Sequence, residues 1–171
     1  MDNSIAYLHS GGFTHKDLKK IFETHTNYRE VYDGYISGKG VDTPWMTPDR
    51  RAKILTQLQT IDTQKIDTII EAKSIQLITL DSPHYPERLS TIKQSPYVLY
   101  VRGNLREARK MLGIVGSRKN TNYGKRVLEH IIPELTRSGC GIISGGAYGI
   151  DAISHELTLA SDGYTISVFG C

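Results

Sequence analysis

The chain has 171 residues, of which 39% are hydrophobic and 23% charged, and its net charge is +3. This balance excludes an intrinsically disordered chain and leaves room for one compact domain and part of another, or for two small ones. No run of 18 apolar residues occurs and the first residues lack a basic and apolar leader, so we expect a cytoplasmic protein with no membrane partner. The two cysteines, Cys140 and Cys171, are expected to be reduced thiols, and no Cys/His spacing suggests a metal.

Residues 1–72 show the hydrophobic period of helices. Thr14 followed by Asp17 predicts a capping box, after which an apolar face begins. Thr47 and Pro48 are typical of another helix start, and a further helix is expected near Asp62. We therefore expect residues 1–72 to form a small all-helical domain.

After residue 73 the pattern changes to short apolar strands that alternate with helices. Strands are expected at 75–80, 97–101, 112–115, 142–143 and 164–169, and helices at 123–138 and 150–160. This alternation predicts an α/β fold in which residues 73–171 form a Rossmann-like, doubly wound parallel sheet. Pro133 should kink its helix and Gly139 should end it. Since few parallel strands are present and the last stops at its carboxyl end, we expect the sheet to be incomplete at the C-terminus.

Two glycine-rich turns, each directly after an apolar strand, carry the strongest functional signal. They span residues 113–118 and 142–151. A strand that enters a Gly/Ser turn before a helix presents bare backbone N–H groups and a positive dipole end to one point, which favours bound phosphate. The predicted phosphate-binding residues are Gly116, Ser117, Arg118, Ser144, Gly145, Gly146 and Gly149. Arg118 would hold two phosphate oxygens, or alternatively pair with Asp151 to lock the turns together.

Positive charge is concentrated around the first turn. Residues 102–126 hold eight basic residues and one acid, a local net charge of +7, which suits a polyanion, although such clusters are also found as solvated faces. Lys119, Lys125 and Arg126 would extend the contact along a strand of nucleic acid. Tyr123 and Tyr148 are candidate platforms for stacked bases, and core packing explains each nearly as well.

Other chemistry has little support in the sequence. Asp151 and His155 lie four residues apart on one helical face, a spacing that more often serves structure than catalysis or metal binding. The chain has neither the G-x-G-x-x-G fingerprint nor the G-x-x-x-x-G-K-[ST] loop, so neither a dinucleotide cofactor nor an ATPase activity is supported. We expect no cofactor and no metal.

Together these segments resemble the DNA-processing protein A (DprA/Smf) family. The resemblance begins near residue 75, and its matching segments are 77–80, 85–89, 96–103, 114–118, 123–124 and 144–155. Their order and spacing are more specific than either turn alone. The preceding helical region is similar in character to the family's N-terminal domain, which is of the sterile-alpha-motif or helix-hairpin-helix type.

The resemblance implies a cytoplasmic, non-enzymatic protein that binds single-stranded DNA without regard to sequence during natural transformation. Family members protect incoming DNA and help to load the RecA recombinase. Their fold is an extended Rossmann domain with the DNA pocket at the glycine turns. They continue well past a position like Cys171, and the continuation supplies the surface of a homodimer, further basic DNA contacts and the recombinase contact.

Two rival interpretations remain. One is a nucleotide-processing enzyme, such as a phosphoribohydrolase of the lysine-decarboxylase-like Rossmann group, which also holds phosphate at a glycine turn. That group is expected to carry a P-G-G-x-G-T turn followed by a glutamate, and residues 144–151 do not. The other treats residues 1–72 as a protein-interaction module whose partner sets the function.

Overall fold

The chain folds into two compact units. The computed structural model of the protein describes residues 2–25, 27–39, 41–106 and 110–170. The first unit is Met1–Leu105 and the second is Arg106–Cys171. The division therefore lies about thirty residues beyond the boundary expected at residue 72, because a pair of strands joins the helical region.

Five helices make up most of the first unit: α1 (Ser4–Ser10), α2 (His15–Thr24), α3 (Tyr28–Ile36), α4 (Pro48–Thr60) and α5 (Thr63–Ala72). The predicted capping box is present, since the Thr14 side chain accepts from the Asp17 N–H and the Asp17 carboxylate accepts from the Thr14 N–H. Thr47 caps α4, which has Pro48 in its first turn, and Asp62 caps α5. The helix starts read from the sequence are thus confirmed, and they bury a shared apolar core of Leu8, Phe13, Leu18, Ile21, Val31, Ile54 and Leu58.

Two strands complete the first unit, β1 (Ile75–Thr79) and β2 (Val98–Arg102), with the one-turn helix α6 (Glu87–Ser90) between them. They pair antiparallel with each other in a two-stranded sheet. The prediction that both belong to the parallel sheet is wrong. A parallel partner needs a long crossover, usually a helix, whereas the connection between β1 and β2, all of whose residues the structure describes, contains the one-turn helix α6 alone. Tyr97 and Val98, each 2% exposed, instead join the core of the helices.

The second unit is a β/α repeat with the elements β3 (Lys110–Gly113), α7 (Asn122–Arg137), β4 (Cys140–Ser144), α8 (Ile150–Ala160) and β5 (Thr165–Ser167). Its three strands are parallel in the order β3-β4-β5. Helices α7 and α8 pack against each other and against β4. The α/β fold with a Rossmann-like parallel sheet after a helical region is confirmed.

Helix α7 continues through Pro133 to Arg137, with Ser138 as its C-cap. Gly139 follows at φ +77°, a conformation that suits glycine, and so ends the helix as predicted. The buried side of α7 is formed by Leu128 and Ile132.

Among the described residues, no helix combines the length and apolar character needed to cross a membrane.

Candidate nucleic-acid interface

The first glycine turn leaves the sheet directly after β3. The Ile114 N–H donates to the Ile143 carbonyl (2.9 Å), which extends the pairing with β4 by one residue. Beyond it, residues 115–118 are exposed, and their N–H groups donate to no acceptor within the described residues. The Ser117 hydroxyl donates to the Lys119 carbonyl (3.0 Å) and accepts from the Lys119 N–H (3.1 Å), which fixes the shape of the turn. The turn thus holds a short row of backbone donors open to solvent.

The second turn connects β4 to α8, and Gly149 is its critical residue. Gly149 adopts φ +85°, and a Cβ placed on it would lie 2.3 Å from the Ser117 carbonyl oxygen and 2.6 Å from that of Arg118. Only glycine accepts this combination of backbone angle and close approach. In the described part of the chain, the N–H groups of residues 145–149 also donate to no protein acceptor. Two neighbouring stretches of backbone therefore have unused donors.

Ile150 joins the two turns. Its N–H donates to the Ser117 carbonyl (3.2 Å), and its side chain fills the space that a Cβ on Gly116 would need, at 2.7 Å. The same side chain lies 3.2 Å from the corresponding position on Gly124, in the first turn of α7. The turns therefore meet, as the sequence predicts. The part played by Ile150 was missed, because an isoleucine at a helix start has no distinctive sequence pattern.

Arg118 lies at the edge of this junction with an exposed side chain. No carboxylate among the described residues forms an ion pair with it. The alternative in which Arg118 locks onto Asp151 is therefore not found. Asp151 is 7% exposed, and its Oδ2 atom lies 2.7 Å from the place a Cβ on Gly145 would occupy. Its carboxylate stands in the first turn of α8, where it offsets the helix dipole beside the second turn.

The hydroxyl of Ser144, one of the predicted phosphate-binding residues, is engaged within the protein. The side chain is 3% exposed, and the hydroxyl donates to the Ile114 carbonyl (2.6 Å). A buried hydroxyl on a central strand needs such a partner, and the neighbouring chain supplies it. Ser144 instead ties the first turn to the end of β4.

His155 has a similar structural role. Its Nε2 atom lies 2.9 Å from the Gly145 carbonyl oxygen, to which it donates, and its Nδ1 atom lies 2.6 Å from the Thr165 hydroxyl. Both ring nitrogens are thereby engaged with the protein. The described residues hold no group of three or more His, Cys, Asp or Glu side chains arranged for a metal.

The basic residues near the turns differ in their surroundings. Lys119 and Arg126 are exposed, whereas the Lys125 ammonium lies 3.7 Å from a Glu129 carboxylate oxygen. Exposed pairs of this kind contribute little energy, but they reduce the positive charge available to a ligand. Arg109, part of the basic cluster in the sequence, lies outside the described residues.

Exposed aromatic side chains surround the turns. Tyr123 is 71% exposed and Tyr148 is 85% exposed, so core packing does not account for either residue. The Phe169 ring lies against Gly146, where a Cβ would be 2.0 Å from the ring. Gly146 thus makes room for an aromatic ring, a contact that the sequence does not predict because the two residues are more than twenty positions apart.

The fold and site define a Rossmann-like α/β protein in which two glycine turns meet at the N-terminal ends of adjacent helices. Residues 76–171 match the family model of DNA recombination-mediator protein A, and the chain belongs to that family. The resemblance stated from the sequence is confirmed, and the family is one of DNA-processing proteins.

Individual proteins that the chain resembles belong to the same family. The chain is 41% identical over 99 residues to the DNA processing protein DprA of Bacillus subtilis, covering 56% of this chain and 33% of that protein. It is 42% identical over 105 residues to protein Smf of Synechocystis, covering 58% and 26% of the two chains. The crystal structure of DNA processing protein A from Streptococcus pneumoniae is similar at a TM-score of 0.70 and 26% identity, over 99% of this chain and 58% of that one. The matches therefore span only part of each relative.

Proposed function

We propose that this protein binds single-stranded DNA without regard to sequence and performs no chemistry on it. In the cell it would act in the cytoplasm during DNA uptake, protecting the incoming strand and helping to load a RecA-type recombinase. Membership of a DNA recombination-mediator family supports this role. The observation that carries the proposal is the meeting of two turns whose backbone donors have no acceptor among the described residues, with Arg118, which forms no ion pair with any of those residues, at their edge.

Phosphate is the ligand that this arrangement suits. The N–H groups of Gly116, Gly145 and Gly146 donate to no acceptor within the described residues, so phosphate oxygens could accept from them. Because the Asp151 carboxylate already offsets the dipole of α8, these donors and Arg118 would supply most of the attraction. A planar guanidinium beside them offers two parallel donors to phosphate oxygens. None of these groups reads a base, so the binding would be independent of sequence.

A nucleotide-processing enzyme is the rival function, for which the Asp151 carboxylate beside Gly145 is the relevant observation. The contacts of His155 argue against it, since both ring nitrogens are already held by the protein. Incubation with nucleoside monophosphates should release no free base. Release of base that is lost in the D151N variant would favour the enzyme and overturn our proposal.

The principal test is the change Arg118→Ala, with Arg137→Ala as the matched control. Both arginines are exposed and in the second unit, but Arg137 lies at the other end of α7 and donates its Nε–H to the Pro133 carbonyl. We expect R118A to weaken binding of labelled oligonucleotides by about tenfold for every sequence, as expected for loss of a charge-assisted contact of roughly 1.5 kcal/mol or more. R137A should bind as the parent does. Fluorescence anisotropy measures the affinities, and circular dichroism verifies the fold.

The salt dependence provides an independent readout. The logarithm of the association constant should fall linearly with the logarithm of salt concentration, with a slope of about −0.7 per neutralised phosphate on a single strand. R118A should reduce that slope by about one contact, and R137A should leave it unchanged. Equal affinities and slopes for R118A and the parent would place the DNA elsewhere.

The relatives extend well beyond the matched region, and the proposal includes a full-length homodimer and contact with the recombinase. Recombinase filaments should form faster on single strands to which the full-length protein is bound than on bare strands. Sedimentation of the full-length protein should give twice the mass of one chain.

A further inference from the structure

The outward face of α7 holds a groove that the phosphate site does not use. The groove is shallow and largely open to solvent, with a volume of about 530 Å³, and it is lined by Tyr123, Arg126, Val127, His130 and Ile131. These positions follow the spacing i, i+3, i+4, i+7 and i+8, so they form one stripe along the helix. The buried stripe, with Leu128 and Ile132, faces the rest of the unit. Helix α7 therefore has two partly apolar faces, and one of them is exposed.

The composition of the groove is unusual for a solvated helix face. Tyr123 is 71% exposed and Ile131 is 39% exposed, with Val127 between them. No carboxylate lines the groove, and Arg126 forms no ion pair with any described residue. Helix α7 has two acidic residues, and neither lines the groove: Glu129 is paired with Lys125, and Glu134 lies one helical turn beyond His130. An aromatic and aliphatic surface that carries the Arg126 guanidinium suits a partly apolar anion.

We infer that this groove holds the bases of the DNA strand whose phosphates lie at the glycine turns. The inference rests on the proposed function and identifies the part of the ligand that α7 contacts. Tyr123 would stack on a base, Val127 and Ile131 would form an apolar floor, and Arg126 would accompany the backbone. Because Gly124, in the same helical turn as Tyr123, packs on the Ile150 side chain, the groove begins beside the junction of the turns.

This arrangement favours single strands. A base can stack on an aromatic side chain only when its face is free, which a duplex prevents, and every base offers such a face. The groove therefore supplies discrimination against duplex DNA, whereas the turns supply contacts that both forms could make. A protein partner is the competing occupant of this face, and DNA binding that does not depend on Tyr123 would argue against the bases as its occupant.

The test compares Tyr123→Ala and Tyr123→Phe on two strands of equal length, oligothymidylate and an abasic strand that has the same phosphates. Y123A should weaken oligothymidylate binding by about five- to tenfold, at the low end of what one base–aromatic stack contributes, and Y123F should keep nearly all of it. On the abasic strand Y123A, Y123F and the parent should bind alike. Arg126→Gln should weaken binding of both strands, with Arg137→Gln as its control on the same helix.

Each outcome decides between the two proposals. Loss of affinity in R118A on both strands together with a base-dependent loss in Y123A supports both. An R118A effect with Y123A equal to the parent on oligothymidylate overturns the base groove alone and leaves the phosphate site standing. A parent protein that binds neither strand overturns the proposed function and the groove with it. Since Tyr123 is mostly exposed, Y123A should fold, and circular dichroism checks this.

Discussion

The substitution Gly149→Ala tests whether the meeting of the two turns depends on a single backbone position. Alanine at φ +85° costs about 1–3 kcal/mol in backbone strain alone. Its Cβ would also stand 2.3 Å from the Ser117 oxygen, so that carbonyl must move by about 1 Å to reach ordinary contact. Such a shift breaks the hydrogen bond from the Ile150 N–H, worth about 0.5–1.5 kcal/mol. We expect G149A to lose about 2–4 kcal/mol of stability in the second unit.

Hydrogen exchange of the α8 amides is the appropriate assay, because it reports on the second unit separately from the first. The control is Gly113→Ala, since Gly113 has no atom within 4 Å of its Cβ position and its φ is not in the left-handed region. G113A should keep the exchange rates of the parent, and G149A should exchange faster and bind oligonucleotides at least fivefold more weakly. Unchanged exchange and affinity in G149A would refute the argument that this glycine holds the turns together.

Two further predictions concern groups whose role the structure defines. Ser144→Ala should lower stability by about 1 kcal/mol, because it removes the hydrogen bond to the Ile114 carbonyl, and it should change DNA affinity less than twofold; a large affinity loss at parental stability would contradict the buried role. The stability of the first unit should fall with acid, because burial lowers the pKa of His15, whose Nδ1 atom accepts the Tyr97 N–H. A lowered folded-state pKa means that the unfolded chain binds the proton more readily, so this stability is present above about pH 6.5 and is lost as the pH falls below it. Urea unfolding followed by Trp45 fluorescence should show that dependence, and H15Q should reduce it; an equal pH dependence in H15Q would assign the effect to other groups.

The sequence predicted the helices well because their signals are local. Thr14, Thr47 and Asp62 cap their helices through side chains within three residues, and Gly139 ends α7 through its own backbone angle. Strand partners are a different matter. The apolar runs that form β1 and β2 resemble those that form β3 and β4. The antiparallel pairing of β1 with β2 depends on the conformation of the residues between them and on the packing of Tyr97 in the core of the helices, and neither has a local sequence pattern.

The candidate site shows the same division between local and long-range information. The positions of the turns and their close approach could be predicted, since parallel strands place their carboxyl ends at one edge. Three side-chain contacts could not be predicted: the hydrogen bond from the Ser144 hydroxyl to the Ile114 carbonyl, the ion pair of Lys125 with Glu129, and the packing of Phe169 on Gly146. Each depends on side-chain packing between positions whose spacing carries no pattern.

Ile150 has a consequence for how this part of the chain can vary. Its side chain already occupies the space beside Gly116 and lies in close contact with Gly124, so the sizes at these three positions are linked. A homologue with a bulkier residue at either glycine must compensate with a smaller one at position 150. We therefore expect the residues at positions 116, 124 and 150 to vary together among homologues. A substitution at one of them alone would first change the distance between the two turns.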